Sequence, residues 1–368
     1  MTDSSDPTGD LVVHALRQIE AVPGWSLRTW ELLIRQARYA DLLARIAALL
    51  KARGQLDAVQ AAPRAHLHAA LAVARSQHEE IDREVLHLGR ALADAGQPLV
   101  LLKGAAYLQA GLPAGVGRIF SDTDILVPKH SLPEVESRLM MHGWMAGHHT
   151  AYDQRYYREW MHEIPPLEHS RRGTVVDVHH AILPETARLK PDPAKLLAAV
   201  QPVARAADIF VLQPTDMVLH SMTHLFHNED LSHGLRDLSD LDLLLRHFGA
   251  EPGFWDRLVS RGTELDLARP LHYGLRCANL ILDTPVPAEA LRAAGLAGPA
   301  WPLSRLMDSL WWRALRSQHP SCAAPFTSTA LFLLYVRAHW LRMPPLLLMR
   351  HLSIKAWQRT RPVQATAP

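Results

Sequence analysis

The chain has 368 residues, 48% hydrophobic and 21% charged, which is enough apolar material for sizeable cores and argues against disorder. Its 39 Lys and Arg against 37 Asp and Glu leave a net charge of +2, no global argument for a nucleic-acid partner; the 22 histidines make the surface more basic below neutral pH. Two cysteines, Cys277 and Cys322, exclude a disulfide framework and a Cys-based zinc site and fit a reduced compartment. The opening MTDSSDPTGD is polar and acidic, unlike a signal peptide, and no run approaches about 18 uncharged apolar residues. The expectation is a cytoplasmic protein without a transmembrane segment.

Residues 1–96 read as a helical region behind a loose tail. Leu11, Val12, Ala15, Leu16 and Ile19 have helical spacing, and Pro23-Gly24 breaks the pattern. Ser26 can cap a helix carrying Trp30, Leu33, Ile34 and Ala37, which the pattern continues through Leu50 to a stop at Arg53-Gly54. A long helix over 63–95 follows, with Gly96 as its end. No chemical motif lies in this region, and it reads as a cap packed on the rest.

Residues 97–183 alternate between strand and helix signals. The apolar run Leu99–Leu102 ends at Lys103-Gly104 and predicts a strand over 98–102, a turn, and a helix over 104–111. A Gly-rich connection and Arg118 lead to Ser121-Asp122-Thr123-Asp124 and a strand over 121–127. A helix through 142, an irregular strand over 144–151, a loop and strand over 152–171, and the β-branched run Thr174–Val178 complete this part. Residues 184–368 read as helical, at about 193–200, 214–227, 235–245, 252–262, 265–281, 287–294, 303–318, 328–342 and 345–357, with a frayed end. The fold class is therefore α+β: a small mixed sheet flanked by N- and C-terminal helical regions.

In a strand, residues i and i+2 share a face, so Asp122 and Asp124 project side by side. Like charges that close raise one pKa, and a hard cation removes the conflict. Magnesium takes carboxylate and phosphate oxygens, and two such ions about 3.5–4 Å apart can clamp a phosphoryl or nucleotidyl transfer. Asp177, in the middle of the Val175–Val178 strand, is the candidate third carboxylate, since a charge there needs a reason to be buried.

LLKG, then R-x-x-S-D-x-D-I-L-V, then V-D-V-H-H resembles the nucleotidyltransferase superfamily of polymerase-β-like fold, over roughly residues 97–182. It is most similar to the bacterial branch in which Lys-Gly stands where other members carry Gly-Ser. The resemblance implies transfer of a nucleoside monophosphate from a nucleoside triphosphate such as ATP, with release of pyrophosphate. It leaves the acceptor open among protein, RNA and small molecule. It implies that Asp122 and Asp124 bind two Mg2+ ions (or Mn2+), that Asp177 binds the catalytic ion and activates the acceptor hydroxyl, and that Lys103, Gly104, Arg118 and Ser121 hold the triphosphate. The turn departs from the Gly-Ser pattern, since Ala105 offers no hydroxyl.

Other groupings admit a chemical and a structural account. His220, His224 and His227 share a helix face and suit a transition metal, packing beside the sheet, or substrate contact. His179 shares the Asp177 face and suits a role in orienting a carboxylate or touching phosphate, or simply a satisfied strand end. Asp240 suits either the cleft or a solvated face paired with Arg236. The apolar stretch 331–349 suits a buried helix closing the bundle or a membrane-surface contact, and Trp311-Trp312 suits the core. Two rivals to catalysis follow: a decayed nucleotide-binding or interaction protein, and a membrane-surface partner in envelope or polysaccharide biosynthesis.

Overall fold

The computed structural model describes residues 9–147, 151–204, 206–344 and 346–350. Four helices come first: α1 (Leu11–Arg17), α2 (Leu27–Tyr39), α3 (Leu43–Ala52) and α4 (Ala61–Asp94). Ser26 caps α2 by accepting the amide proton of Thr29 at 3.2 Å. The single helix expected over 26–50 is two, because Asp41 takes a left-handed conformation (φ 55°) between them. The expected stop of the long helix is present. Gly96 has φ 67°, and the Gln97 amide donates to the Leu92 carbonyl at 2.9 Å, a Schellman closure.

The chain then builds β1 (Leu99–Leu101), α5 (Lys103–Gln109), β2 (Thr123–Leu126), α6 (Leu132–Met141), β3 (Trp144–Ala146), α7 (Ala151–Trp160), β4 (Leu167–His169), β5 (Val175–His179), α8 (Pro193–Leu197), β6 (Gln201–Val203) and β7 (Ala206–Val211). These strands form one mixed sheet in the order β3-β4-β5-β2-β1-β7-β6. β2 runs antiparallel to β1 and parallel to β5, and β7 joins the far side of β1 in parallel. The mixed sheet between helical regions is the α+β class expected.

Two segments differ from their sequence reading. Residues 151–160 form α7, where a loop was expected. The aromatics follow a helical i, i+4, i+8 spacing, which puts the Tyr152 and Tyr156 rings 6.2 and 6.0 Å from that of Trp160. Residues 201–211 supply two strands where no strand was expected. Gln201, Ala206, Ala207 and Asp208 favour no strand and obscure the strand formers Ile209, Phe210 and Val211, which pair with β1, while β6 pairs with β7.

Seven helices complete the described chain: α9 (Pro214–His227), α10 (Gly234–Phe248), α11 (Phe254–Glu264), α12 (Ala268–Leu282), α13 (Ala288–Gly295), α14 (Leu303–Ala314) and α15 (Thr327–Arg342). The tryptophan pair splits. Trp311 is buried with its ring 4.7 Å from that of Phe226, while Trp312 faces outward under Arg316. α15 is also less buried than expected. Ala330, Leu334 and Ala338 pack inward on one narrow stripe, leaving Phe332, Tyr335, Val336 and Trp340 exposed. Most of the helix expected over 345–357, and the frayed ends, lie outside the described residues. No described helix is long and apolar enough to cross a membrane.

Candidate active site

The site grows from three neighbouring strands. β1 ends at Leu101, and two residues on, Lys103, whose backbone is left-handed (φ 47°), opens α5. The Leu102 amide donates to the Asp124 carbonyl at 2.9 Å, tying this turn to β2. On the other side of β2, Asp124 and Asp177 are register partners in the parallel β2–β5 pair and so share a face of the sheet. Asp122 sits in the turn just before β2, half-buried, rather than inside the strand as expected.

Asp124 is buried and its Oδ1 carries two donors. The Lys103 Nζ stands 2.7 Å from it and the His179 Nε2 2.9 Å. Burial pushes the Asp124 carboxyl up, but the Lys103 charge and the His179 hydrogen bond outweigh it and hold the group well below the usual carboxylate range. The same contact raises the Lys103 ammonium against its own burial. His179 is raised as well, because its hydrogen bond to Asp124 and the charge of Glu163 outweigh burial.

Asp177 has the opposite balance. Burial, followed by the charges of Asp124, Glu163 and Asp122, pushes it up to about 7. Its Oδ1 is buried and has no hydrogen-bond partner. Asp122 is also raised, by burial and by Asp124. Four carboxylates thus gather about Lys103 and His179, and an orphaned oxygen faces the excess negative charge. That is an environment a divalent cation suits.

Glu163 was not singled out in the sequence. It lies at the isolated bridge that pairs its backbone with that of His179, after Met161 and before Pro165. Its Oε2 is 3.4 Å from the His179 Nε2. Among the described residues, the set of three possible metal-ligand atoms lying within 4.8 Å of one another belongs to His162, Glu163 and His179. The only local signal is the His-Glu pair where α7 gives way to Pro165-Pro166.

Two connected lobes open over these groups. The larger, about 570 Å3, is lined by Asp177, Glu163, His162, Tyr157 and Arg342; the smaller, about 180 Å3, by Ser121, Arg118, Arg236 and Asp124. Lys103, Asp122, His224 and Asn228 line both.

Other residues singled out in the sequence fall as follows. Arg118 edges the smaller lobe but is buried, and its Nε donates to the Asp240 Oδ2 at 2.8 Å. Asp240 is held on its other oxygen by Arg45 at 2.5 Å, so neither the cleft-facing nor the solvated-face account describes it fully. Arg236 instead pairs with Asp237 at 3.0 Å. Gly104 is required by close approach, since a Cβ there would overlap the Arg118 guanidinium and come within 2.8 Å of the Phe120 ring. His220 is buried, and burial pushes it down to about 3. His224 reaches toward Asp237 at 3.7 Å. The three α9 histidines are not among the grouped metal-ligand atoms of the described residues.

No curated protein and no solved structure matches the chain. One family model does, described as uncharacterised nucleotidyltransferase, over residues 26–283, more than half of the chain. The match takes in the sheet, the carboxylates and the helices α9 and α10 that face them. The chain belongs to this uncharacterised nucleotidyltransferase family.

Proposed function

We propose that this protein transfers a nucleoside monophosphate from a nucleoside triphosphate to an acceptor hydroxyl, with a divalent cation, Mg2+ or Mn2+, at the carboxylates. The observation that carries the reading is the in-register pair Asp124–Asp177 beside Asp122, with the Asp177 Oδ1 buried and unpartnered. Asp122, Asp124 and Asp177 would hold the cation. When bound, it supplies positive charge to phosphate oxygens and lowers the pKa of a coordinated hydroxyl.

The chain's own groups divide the remaining work. Lys103, Ser121 and Arg118 border the smaller lobe, which we assign to the triphosphate, with Gly104 leaving room for the Arg118 guanidinium. The larger lobe, with Tyr157 and Arg342, is assigned to the nucleoside and the acceptor. The acceptor oxygen bonds to the α-phosphorus, the α–β phosphoanhydride bond breaks, and pyrophosphate leaves. Asp177, which would hold the cation through one oxygen, is placed to take the acceptor proton on the other. His179 holds Asp124 in place, while His220, His224 and Asp240 back the walls.

The test is purified protein with Mg2+, each α-labelled nucleoside triphosphate in turn, and a cell lysate split into protein, RNA and small-molecule fractions. Label in one fraction, absent with Asp122→Asn/Asp124→Asn, establishes the transfer and names the acceptor class. Nucleotide binding without label in any fraction would leave the chain a binding module instead.

A further inference from the structure

We propose, resting on the transferase reading above, that the Lys103 ammonium takes the place of one of the two metal ions, so that this site works with a single divalent cation. A carboxylate that bridges two ions about 3.5–4 Å apart offers an oxygen to each. Asp124 has one to offer, since its Oδ1 accepts from both Lys103, at 2.7 Å, and His179, at 2.9 Å. Only Oδ2 remains for a metal.

Three further observations support a built arrangement. Lys103 stands in the left-handed turn between β1 and α5, a conformation that a side chain other than glycine adopts at a cost. That turn fixes the stem at the end of the sheet, and the Leu102 amide bond to the Asp124 carbonyl locks turn and strand together. The Lys103 side chain is largely sheltered from solvent, at 18% exposure, and the residue lines both lobes, so its ammonium sits against the carboxylates and beside the lobe assigned to the triphosphate.

Ala105 fits the same account. A serine hydroxyl at this turn would be of use beside an ion-bound triphosphate, and here the residue before Gly104 supplies a fixed charge instead. The acceptor proton still goes to Asp177 and the leaving pyrophosphate still departs from the α-phosphorus; only the number of ions changes.

Mn2+ is the probe, with the whole chain and the α,β-methylene analogues of the four ribonucleoside triphosphates in turn. Electron paramagnetic resonance counts bound ions and shows a spin-coupled spectrum when two lie within about 4 Å. The wild type is expected to hold one Mn2+ per chain with an uncoupled spectrum. Lys103→Met is expected to hold two, with a coupled spectrum, and Lys103→Arg, which keeps the charge, to hold one. A coupled pair in the wild type overturns the inference, as does no bound Mn2+ with any analogue, or a count that stays at one in Lys103→Met. If Lys103→Met does not fold, the wild-type and Lys103→Arg counts decide. Label transfer by the wild type is read separately. Two ions with transfer sink this inference alone, and one ion without transfer sinks the transferase reading alone.

Discussion

Asp124 and Asp177 face each other across neighbouring parallel strands, yet their carboxyls are driven in opposite directions, the first held down by Lys103 and His179 and the second pushed up to about 7 by burial and its acidic neighbours. One group is committed to its partners and the other is left with a free oxygen. Pairs whose environments separate their pKa values in this way mark acid–base sites.

Replacing Asp124 with Asn keeps the shape and removes the charge that Lys103 and His179 bind. Transfer is expected to fall at least about 100-fold, roughly 2.7 kcal/mol of transition-state stabilisation. Circular dichroism should remain that of the wild type. Activity within a few-fold of wild type would remove Asp124 from the reaction.

Divalent-ion binding should depend on pH because the ion requires Asp177 ionised. With the metal-free group at about 7, affinity is expected to weaken roughly tenfold per pH unit below that point and level off above it. Titration of metal-free protein with Mg2+, followed by thermal shift, checks this. An affinity flat from pH 5.5 to 8 would contradict it.

The buried Arg45–Asp240–Arg118 cluster joins α3, α10 and the loop before β2. Removing one partner of a buried pair costs about 3–5 kcal/mol because the other charge is stranded. Asp240→Asn leaves two buried guanidiniums facing each other and is expected to destabilise more than Arg45→Met, which leaves Asp240 with Arg118. Urea midpoints of the two variants give the order.

His220 and His227 are each pushed down to about 3, by burial first. The unfolded chain therefore takes protons below about pH 6.5 that the folded chain refuses, so each costs up to about 1.4 kcal/mol of stability per pH unit as pH falls from there toward 3. Above pH 6.5 both are neutral in either state and the loss vanishes. His220→Gln is expected to flatten the acid limb of the stability profile. An unchanged slope would show that His220 is protonated in the fold.

Gly104→Ala places a methyl against Arg118 and Phe120. Overpacking costs about 1–3 kcal/mol. The variant is expected to lose transfer activity as well, because the displaced Arg118 borders the smaller lobe. A stable variant with full activity would mean that Arg118 moves freely.

Local pattern was enough to place Asp124 and Asp177 on strands, though it put Asp122 inside the strand it precedes. Apolar runs ending at Lys103-Gly104, the Asp-x-Asp step into Ile125-Leu126-Val127, and Asp177 among valines each carry their meaning within a few residues, because strand alternation and turn chemistry are local. The same is true of most helices. Partnerships across the chain were decided only by the tertiary structure. Arg45 meets Asp240 over 195 positions, Glu163 reaches His179 through a backbone bridge, and β7 becomes a strand by pairing with β1. The splitting of Trp311 from Trp312 and the two donors on one oxygen of Asp124 belong to the same class. These depend on which surfaces meet when the helical regions close on the sheet, and neither periodicity nor propensity carries that information. The sequence determined which acids lie close together along the chain, and the fold decided that Asp124 is engaged by Lys103 and His179 while Asp177 keeps a buried, unpartnered oxygen.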